Sequence, residues 1–351
     1  MQSAECYNAL SASQKPQFSP AVTGWIGSLL AVSKKVALVA HTNADGDAVG
    51  AITAFGSVLG RQYPGLQVTL MLPDGCPAQY GWMPLADRIL NGQTQNAQCC
   101  QAMAEADLIV AMDLSAPSRM AMLAQAFTDS KAAKLLIDHH HDPEREAFSM
   151  VVSDYSISST CELTLWLVDA LLGPEAIDAE AATCLYVGLR TDTGGFAYSN
   201  TQPSLYMATA QLVASGIDPA EINNRILNTF SEQRLRFYGH AISNCLTVMR
   251  EQGFAYFTIS LADQRRFGIT AEDMDGLVNY TLLMADIECG ALVREEENRC
   301  KVSLRSKYTT NVNRMAADLF GGGGHTKAAG ATSTLPLQAT VDAVVNYILN
   351  R

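Results

Sequence analysis

Five short apolar runs punctuate the first half of the chain: Val36–Ala40, Val68–Leu72, Leu108–Met112, Leu135–Ile137 and Met150–Val152. They are unbroken rather than alternating, and helix-like stretches separate them, which is the pattern of strands buried on both faces of a parallel sheet. In an open parallel sheet, ligands gather at the carboxyl ends of the strands. Three of the runs end in metal-ligating side chains: His41-Thr-Asn-Ala-Asp45-Gly-Asp47 follows the first, Asp113 the third, and Asp138-His139-His140 the fourth. Carboxylates and imidazoles are the ligand mix that suits Mn²⁺ and related divalent ions, so the repetition predicts a two-metal hydrolase.

Between the first two runs, Val49, Ile52, Phe55 and Leu59 recur at helical spacing, with Asp47 expected as the N-cap. Ser159-x-x-Glu162 has the spacing of a capping box ahead of a second helix, and a helix over about Ala179 to Leu189 delivers Thr191-Asp192-Thr193-Gly194-Gly195 at its end. Residues 202–239 read as a helical connector. The last part resumes with strands at Phe254–Ile259, Ile287–Val293 and Lys301–Arg305, helices at Val312–Phe320 and about Gln338–Leu349, and a run of four glycines, Gly321 to Gly324. The expected fold is α/β. A three-layer, parallel-sheet domain (20–201) follows an N-terminal extension (1–19), and the connector leads to a smaller mixed-sheet domain (240–351), with the active site expected in the cleft between them.

At 351 residues with 48% hydrophobic content the chain can bury two cores. It shows neither a signal peptide nor an apolar run long enough to span a bilayer, which makes the cytoplasm the expected compartment. Nine cysteines without a C-x-x-C pair argue against a disulfide framework or a zinc ribbon, and most are expected as core thiols. A net charge of −11 disfavours long nucleic acid, because phosphate neutralisation by Lys and Arg dominates such binding. Short phosphorylated substrates remain compatible. Arg294, Arg299, Lys301, Arg305, Lys307 and Arg314 cluster against Glu295 to Glu297, which implies a local anion site, a solvated charged hairpin being the alternative.

The H-x-x-x-D-x-D spacing lets His41 and Asp45 face one ion and Asp47 another, with a shared Asp113 holding the pair at ~3.5–4 Å. Asp192 is a weaker signal, since Asp and Gly are common where helices end. The segment Gly321-Gly322-Gly323-Gly324-His325-Thr-Lys327 lacks the spacing of a Walker loop and follows a helix; it is either an anion nest or a glycine turn. No G-x-G-x-x-G follows the first strand, so a dinucleotide cofactor is not expected.

Taken in order, His41/Asp45/Asp47, Asp113, Asp138-His139-His140 and Asp192, followed by Arg305-Ser306 and the glycine segment, resemble the DHH phosphoesterases, in particular the bacterial nanoRNase/pAp phosphatase branch with a C-terminal DHH-associated domain. The resemblance covers residue 20 to the end. It implies that His41, Asp45 and Asp113 bind one Mn²⁺ and that Asp47, Asp113, His139 and Asp192 bind a second, other divalent ions being able to replace them. It further implies that Asp138 orients His139 and that His140 sits against the scissile phosphate. In the second domain it implies substrate binding by Arg305, Ser306, Asn279, Gly322, Gly323, Gly324 and His325. The family often has Pro where this chain has Ala44, a departure that removes no ligand.

The implied reaction is in-line attack of a metal-activated water on short oligoribonucleotides, linear dinucleotides or 3′,5′-bisphosphates such as pAp. A homodimer is compatible with this reading. Three alternatives are a cyclic-dinucleotide phosphodiesterase, a nucleotide sensor that has lost turnover, and a polyphosphate or pyrophosphate hydrolase.

Overall fold

The apolar runs form strands because both faces of each are covered. A computed structural model describes residues 15–198 and 200–350, apart from the side chain of His325. The chain divides between Thr229 and Phe230 into two units, each built on a six-stranded sheet.

The first unit runs α1 (Pro20–Val32), β1 (Lys35–Val39), α2 (Gly46–Gln62), β2 (Gln67–Leu72), β3 (Leu90–Asn91), α3 (Asn96–Glu105), β4 (Leu108–Met112), α4 (Ala124–Asp129), β5 (Ala133–Asp138), β6 (Met150–Ser153), α5 (Thr160–Leu172), α6 (Ala179–Asp192), α7 (Pro203–Ala214) and α8 (Pro219–Leu227). Its sheet is parallel throughout, in the order β3-β2-β1-β4-β5-β6. Alternate residues feed two cores. Val36, Leu38, Val110 and Ile137 face α2, α5 and α6, whereas Ala37, Val39, Ile109 and Leu136 face α3 and α4. The strand order reverses between β1 and β4, and such a reversal opens a crevice at the carboxyl edge.

The amphipathic helix expected over 48–59 is instead buried all round, from Gly46 to Leu59, because α5 and α6 close over the face turned away from the sheet. Small residues permit this. A Cβ at Gly50 would collide with the backbone carbonyl of Cys184 on α6. Helices α7 and α8 belong to the same core through Leu205, Ala208, Leu212 and Ile222. Of the N-terminal extension, residues 1–14 lie outside the described residues; Lys15 reaches Asp169 of α5 at 3.4 Å and sits over the Trp166 ring.

The second unit runs α9 (Glu232–His240), β7 (Leu246–Met249), β8 (Phe254–Ile259), α10 (Leu261–Phe267), β9 (Cys289–Glu296), β10 (Arg299–Ser306), α11 (Val312–Phe320), β11 (Gly323–His325), β12 (Ala328–Ser333) and α12 (Leu337–Leu349). The sheet order is β11-β12-β10-β9-β8-β7, antiparallel except for β8 with β9. The glycine run is neither a plain turn nor a free nest. Gly321 ends α11 in the left-handed region at φ 62°, while Gly323 and Gly324 pair with Gly330 and Ala329 as an edge strand. Cβ atoms at Gly322 or Gly324 would strike the backbone of β12, so close approach explains these glycines.

Among the described residues no helix is long and apolar enough to cross a membrane. No disulfide forms among them either, and Cys99, Cys161, Cys184, Cys289 and Cys300 are buried as thiols.

Candidate active site and metal centre

Strands β1, β4 and β5 are neighbours, so their carboxyl ends bring three loops together, and the end of α6 adds a fourth segment. Two candidate ligand triads result, His41/Asp45/Asp113 and Asp47/His139/Asp192, with a third group, Asp113/His139/His140, overlapping both, and within each the candidate ligand atoms lie within 4.8 Å of one another.

The first loop turns directly into α2. The N-cap is Asp45, whose Oδ1 accepts from the amides of Asp47 and Ala48 at 3.0 Å each. The expectation that Asp47 caps α2 is corrected, because the helix begins at Gly46 and leaves Asp47 in its first turn, buried. Asp47 caps a different helix. Its Oδ2 accepts from Thr160 N at 2.6 Å and its Oδ1 from Cys161 N at 2.8 Å, so the first amides of α5 hold the carboxylate from the far side of the site. Ser159 caps α5 as expected, but Glu162 reaches back to Ser158 rather than to the Ser159 amide, so the capping box is only half formed.

His41 Nδ1 lies 2.8 Å from Thr42 O and donates to it, which directs Nε2 toward Asp113 Oδ2 at 3.2 Å and Asp45 Oδ1 at 4.0 Å. Asp113 is shared between the triads through its two oxygens. Oδ2 faces His41, while Oδ1 accepts from the Thr160 hydroxyl at 3.0 Å and lies 3.7 Å from His139 Nε2. The residue stands in the left-handed region at φ 58°, a conformation that costs a non-glycine residue about 1–3 kcal/mol and that the hydrogen bond its N–H donates to Ile137 O helps to fix. His139 Nε2 completes the second triad, 3.8 Å from Asp47 Oδ2 and 3.6 Å from Asp192 Oδ2.

Asp138 was expected to orient His139 and does not. Its Oδ1 accepts from His140 Nδ1 at 2.7 Å, because the chain bends where β5 ends and carries the His140 ring back over the Asp138 carboxylate. With Nδ1–H committed to Asp138, His140 Nε2 accepts from Arg119 Nη1 at 3.2 Å.

The electrostatics describe a centre short of positive charge. Burial, then the Asp113 and Asp192 charges, push the Asp47 carboxyl well above its ordinary range, and burial, then Asp113 and Asp45, do the same to Asp192. Burial works against the His41 cation, but the Asp113 hydrogen bond and the charges of Asp113 and Asp45 prevail and raise it to about 9. Burial likewise works against the Asp113 carboxylate, yet the hydrogen bond and charge of His41, with His139 and His140, hold it below the ordinary carboxylate range. Crowded, buried carboxylates beside imidazoles fit divalent ions of the manganese type, both in donor chemistry and in the charge they lack.

Several supporting residues carried no sequence signal. Arg119 and Thr160 are isolated in their segments. Asn200 ties the α6 end to the α5 start by donating to Asp192 O at 3.2 Å and Ser158 O at 2.9 Å. The glycines after Asp192 do have a local reason, since Gly194 and Gly195 take φ 55° and 71° to turn the chain back.

In the second unit Arg305 and Ser306 end β10 and point to opposite faces. The Ser306 hydroxyl is buried and donates to Thr310 O at 2.6 Å, whereas Arg305 shares a face with Lys301. The basic cluster is smaller than the sequence suggests, because Glu296 pairs with both Arg294 and Arg299 and Lys307 donates to Met284 O at 2.7 Å. Asn279 lies half-buried in a 3₁₀ segment, Leu277–Leu283. His325 belongs to β11, and its side chain is outside the described residues.

Comparison with known proteins agrees with this anatomy. Residues 35–189 match the DHH family N-terminal domain and residues 251–350 the DHHA1 domain. The chain is 29% identical over 305 residues to the bifunctional oligoribonuclease and PAP phosphatase NrnA of Thermus thermophilus, covering 87% of this chain and 86% of that one. A solved exopolyphosphatase-related protein from Bacteroides fragilis is 30% identical, with a TM-score of 0.90 over 95% of this chain and 96% of that one. The RecJ structure from Thermus thermophilus shares the fold at 14% identity and a TM-score of 0.54, over 97% of this chain and 56% of that one. The paired domain matches, on a sheet whose carboxyl edge gathers these acids and histidines, place the chain in the DHH family of phosphoesterases.

Proposed function

We propose that the protein is a divalent-cation-dependent phosphoesterase that hydrolyses short oligoribonucleotides and linear dinucleotides to mononucleotides and removes the 3′-phosphate of 3′,5′-bisphosphates. The observation behind this reading is the pair of candidate ligand triads at the sheet edge, with Asp113 of the first reaching His139 of the second. The names of the NrnA relatives supply the substrate class. The reactions balance as pApA + H₂O → 2 AMP and pAp + H₂O → AMP + phosphate; in both, the P–O3′ bond breaks and the leaving oxygen gains a proton.

His41, Asp45 and Asp113 would hold one Mn²⁺ and Asp47, Asp113, His139 and Asp192 the other. When bound, the ions supply Lewis acidity at the phosphate and lower the pKa of water. The protein's own groups do the rest. The amides of Thr160 and Cys161 fix Asp47, and the Thr42 carbonyl fixes the His41 tautomer. Asp138 holds His140 with Nε2 toward Arg119, which places a guanidinium beside the centre to receive phosphate oxygens. Arg305, Asn279 and the glycine segment are the second unit's proposed substrate contacts, with Ser306 securing the loop that follows β10.

The test is product analysis by chromatography. Wild type and His139→Ala are incubated with Mn²⁺ or EDTA against pApA, pAp, cyclic di-AMP and polyphosphate. AMP from pApA and pAp only with wild type and Mn²⁺ is expected. Turnover of polyphosphate or the cyclic dinucleotide alone would replace the reading with another phosphoesterase activity, and binding without turnover would replace it with a sensor.

A further inference from the structure

Beside the centre, between the loop joining β5 to β6 and the segment that leads from β6 to α5, lies a groove of about 440 Å³ whose walls include His140, Asp142, Arg145, Asp154 and Tyr155. Its size is that of a small-molecule site. His140 belongs both to this groove and to the centre, where its Nδ1 is 3.7 Å from Asp113 Oδ1, so whatever occupies the groove adjoins the candidate metal centre.

The groove has an aromatic wall that the fold does not need. Tyr155 is 68% exposed, and its ring stacks on His141 with centroids 4.7 Å apart and planes 29° apart. A large ring left in solvent yet held flat by a second ring is a platform for a third. Arg145 is exposed at the same groove, with donors for base acceptors, while Asp142 and Asp154 offer carboxylates to exocyclic amino groups.

We infer that this groove is a nucleoside subsite, in which Tyr155, backed by His141, stacks the base of the nucleotide that keeps the scissile phosphate. The inference rests on the reading given under Proposed function. An occupant joined to a phosphate at the centre is a nucleoside if the substrate is a short RNA, and aromatic stacking accepts any base. The two proposed substrates differ at this position. In pApA the scissile phosphate joins two nucleosides; in pAp it carries only the one that leaves as AMP. The leaving 5′-phosphorylated nucleotide is common to both and lies on the other side of the scissile phosphate. The groove is therefore filled by pApA and left empty by pAp.

Steady-state kinetics of wild type, Tyr155→Ala and Tyr155→Phe on pApA and pAp with Mn²⁺ tests this. Tyr155→Ala is expected to lose about tenfold to a hundredfold in kcat/KM on pApA, mainly through KM, the range one stacked base accounts for. Its turnover of pAp should match wild type, which also shows that the variant is folded, and Tyr155→Phe should restore pApA turnover. Equal losses on both substrates would make Tyr155 a structural residue, a loss confined to pAp would place the leaving adenosine here, and no loss on either would leave the groove without a base. Each of these overturns the inference. Failure of the wild type to turn over either substrate would instead overturn the parent reading and the inference with it.

Discussion

Asp138 is fully buried and spends one oxygen on His140, two residues away, while Oδ2 has no hydrogen-bond partner among the described residues. A buried carboxylate that supports an imidazole fixes its tautomer and orientation, and replacing such a partner typically costs about 10–100-fold. Asp138→Asn keeps an acceptor but removes the charge, so kcat/KM on pAp should fall by that factor with the melting temperature within a few degrees of wild type. Wild-type turnover in this variant would remove the Asp138–His140 pair from the mechanism. The charge balance of the ligands yields a second expectation. His41 is raised to about 9 in the metal-free protein, so the stability it contributes is complete below its ordinary pKa and is lost as pH rises through about 9. Asp47 and Asp192 act in the same direction, because a carboxyl raised by folding disfavours the folded state once pH exceeds its ordinary range. Divalent ions displace these protons, so the gain in melting temperature on adding Mn²⁺ should grow from pH 6 to pH 8.5 relative to EDTA. Scanning fluorimetry across that range measures it, and a gain independent of pH would show that the ion binds elsewhere.

The helices around the site obey tight steric limits that can be tested in pairs. Gly188 on α6 faces Asp47 and Cys161, and a Cβ there would collide with the Asp47 carboxylate and the Cys161 sulfur. Gly188→Ala should therefore cost about 1–3 kcal/mol and displace a ligand, lowering stability and activity together. Gly24 on α1 has nothing within 4 Å of the same added atom, so Gly24→Ala should stabilise by about 0.4–1 kcal/mol at unchanged activity. Urea denaturation of both variants decides this, and equal effects would contradict the packing described for α2, α5 and α6. The same elements show what was legible in the sequence. Strands β1, β4 and β5 stood out because burial on both faces demands unbroken apolar runs, and the acids and histidines at their ends stood out because their residue types are those of metal ligands. The all-round burial of α2 did not show, since glycine and alanine make a helix buried on every side look polar-neutral. Strands β11 and β12, rich in glycine and alanine, lack the β-branched signature altogether. Thr160 was invisible for another reason: its bond to Asp47 spans 113 residues and leaves no local pattern.

At the scale of the whole molecule, charge and substrate length are linked. A chain of net charge −11 repels polyanions at long range, and ion pairs of Arg294, Arg299 and Arg314 offset part of its basic segment. Each added nucleotide brings another phosphate that must approach this field, while only a few local contacts compensate for it. Affinity should therefore stop rising once the subsites are filled. In a series of 5′-phosphorylated RNAs from two to twenty-four nucleotides at fixed Mn²⁺ and about 0.15 M salt, kcat/KM should peak at two to four nucleotides and fall at least about tenfold by ten. The proposed substrate contact of Arg305 is testable in the same series: Arg305→Ala should raise KM for the dinucleotide several-fold with little change in kcat, as expected for a group that binds substrate and transition state alike. Rising salt should narrow the gap between short and long substrates, because screening weakens the repulsion that excludes the long ones. A kcat/KM that stays level or climbs with length would mean that a continuous cationic path guides the strand, and the protein would then be a processive exonuclease rather than an enzyme of short ends.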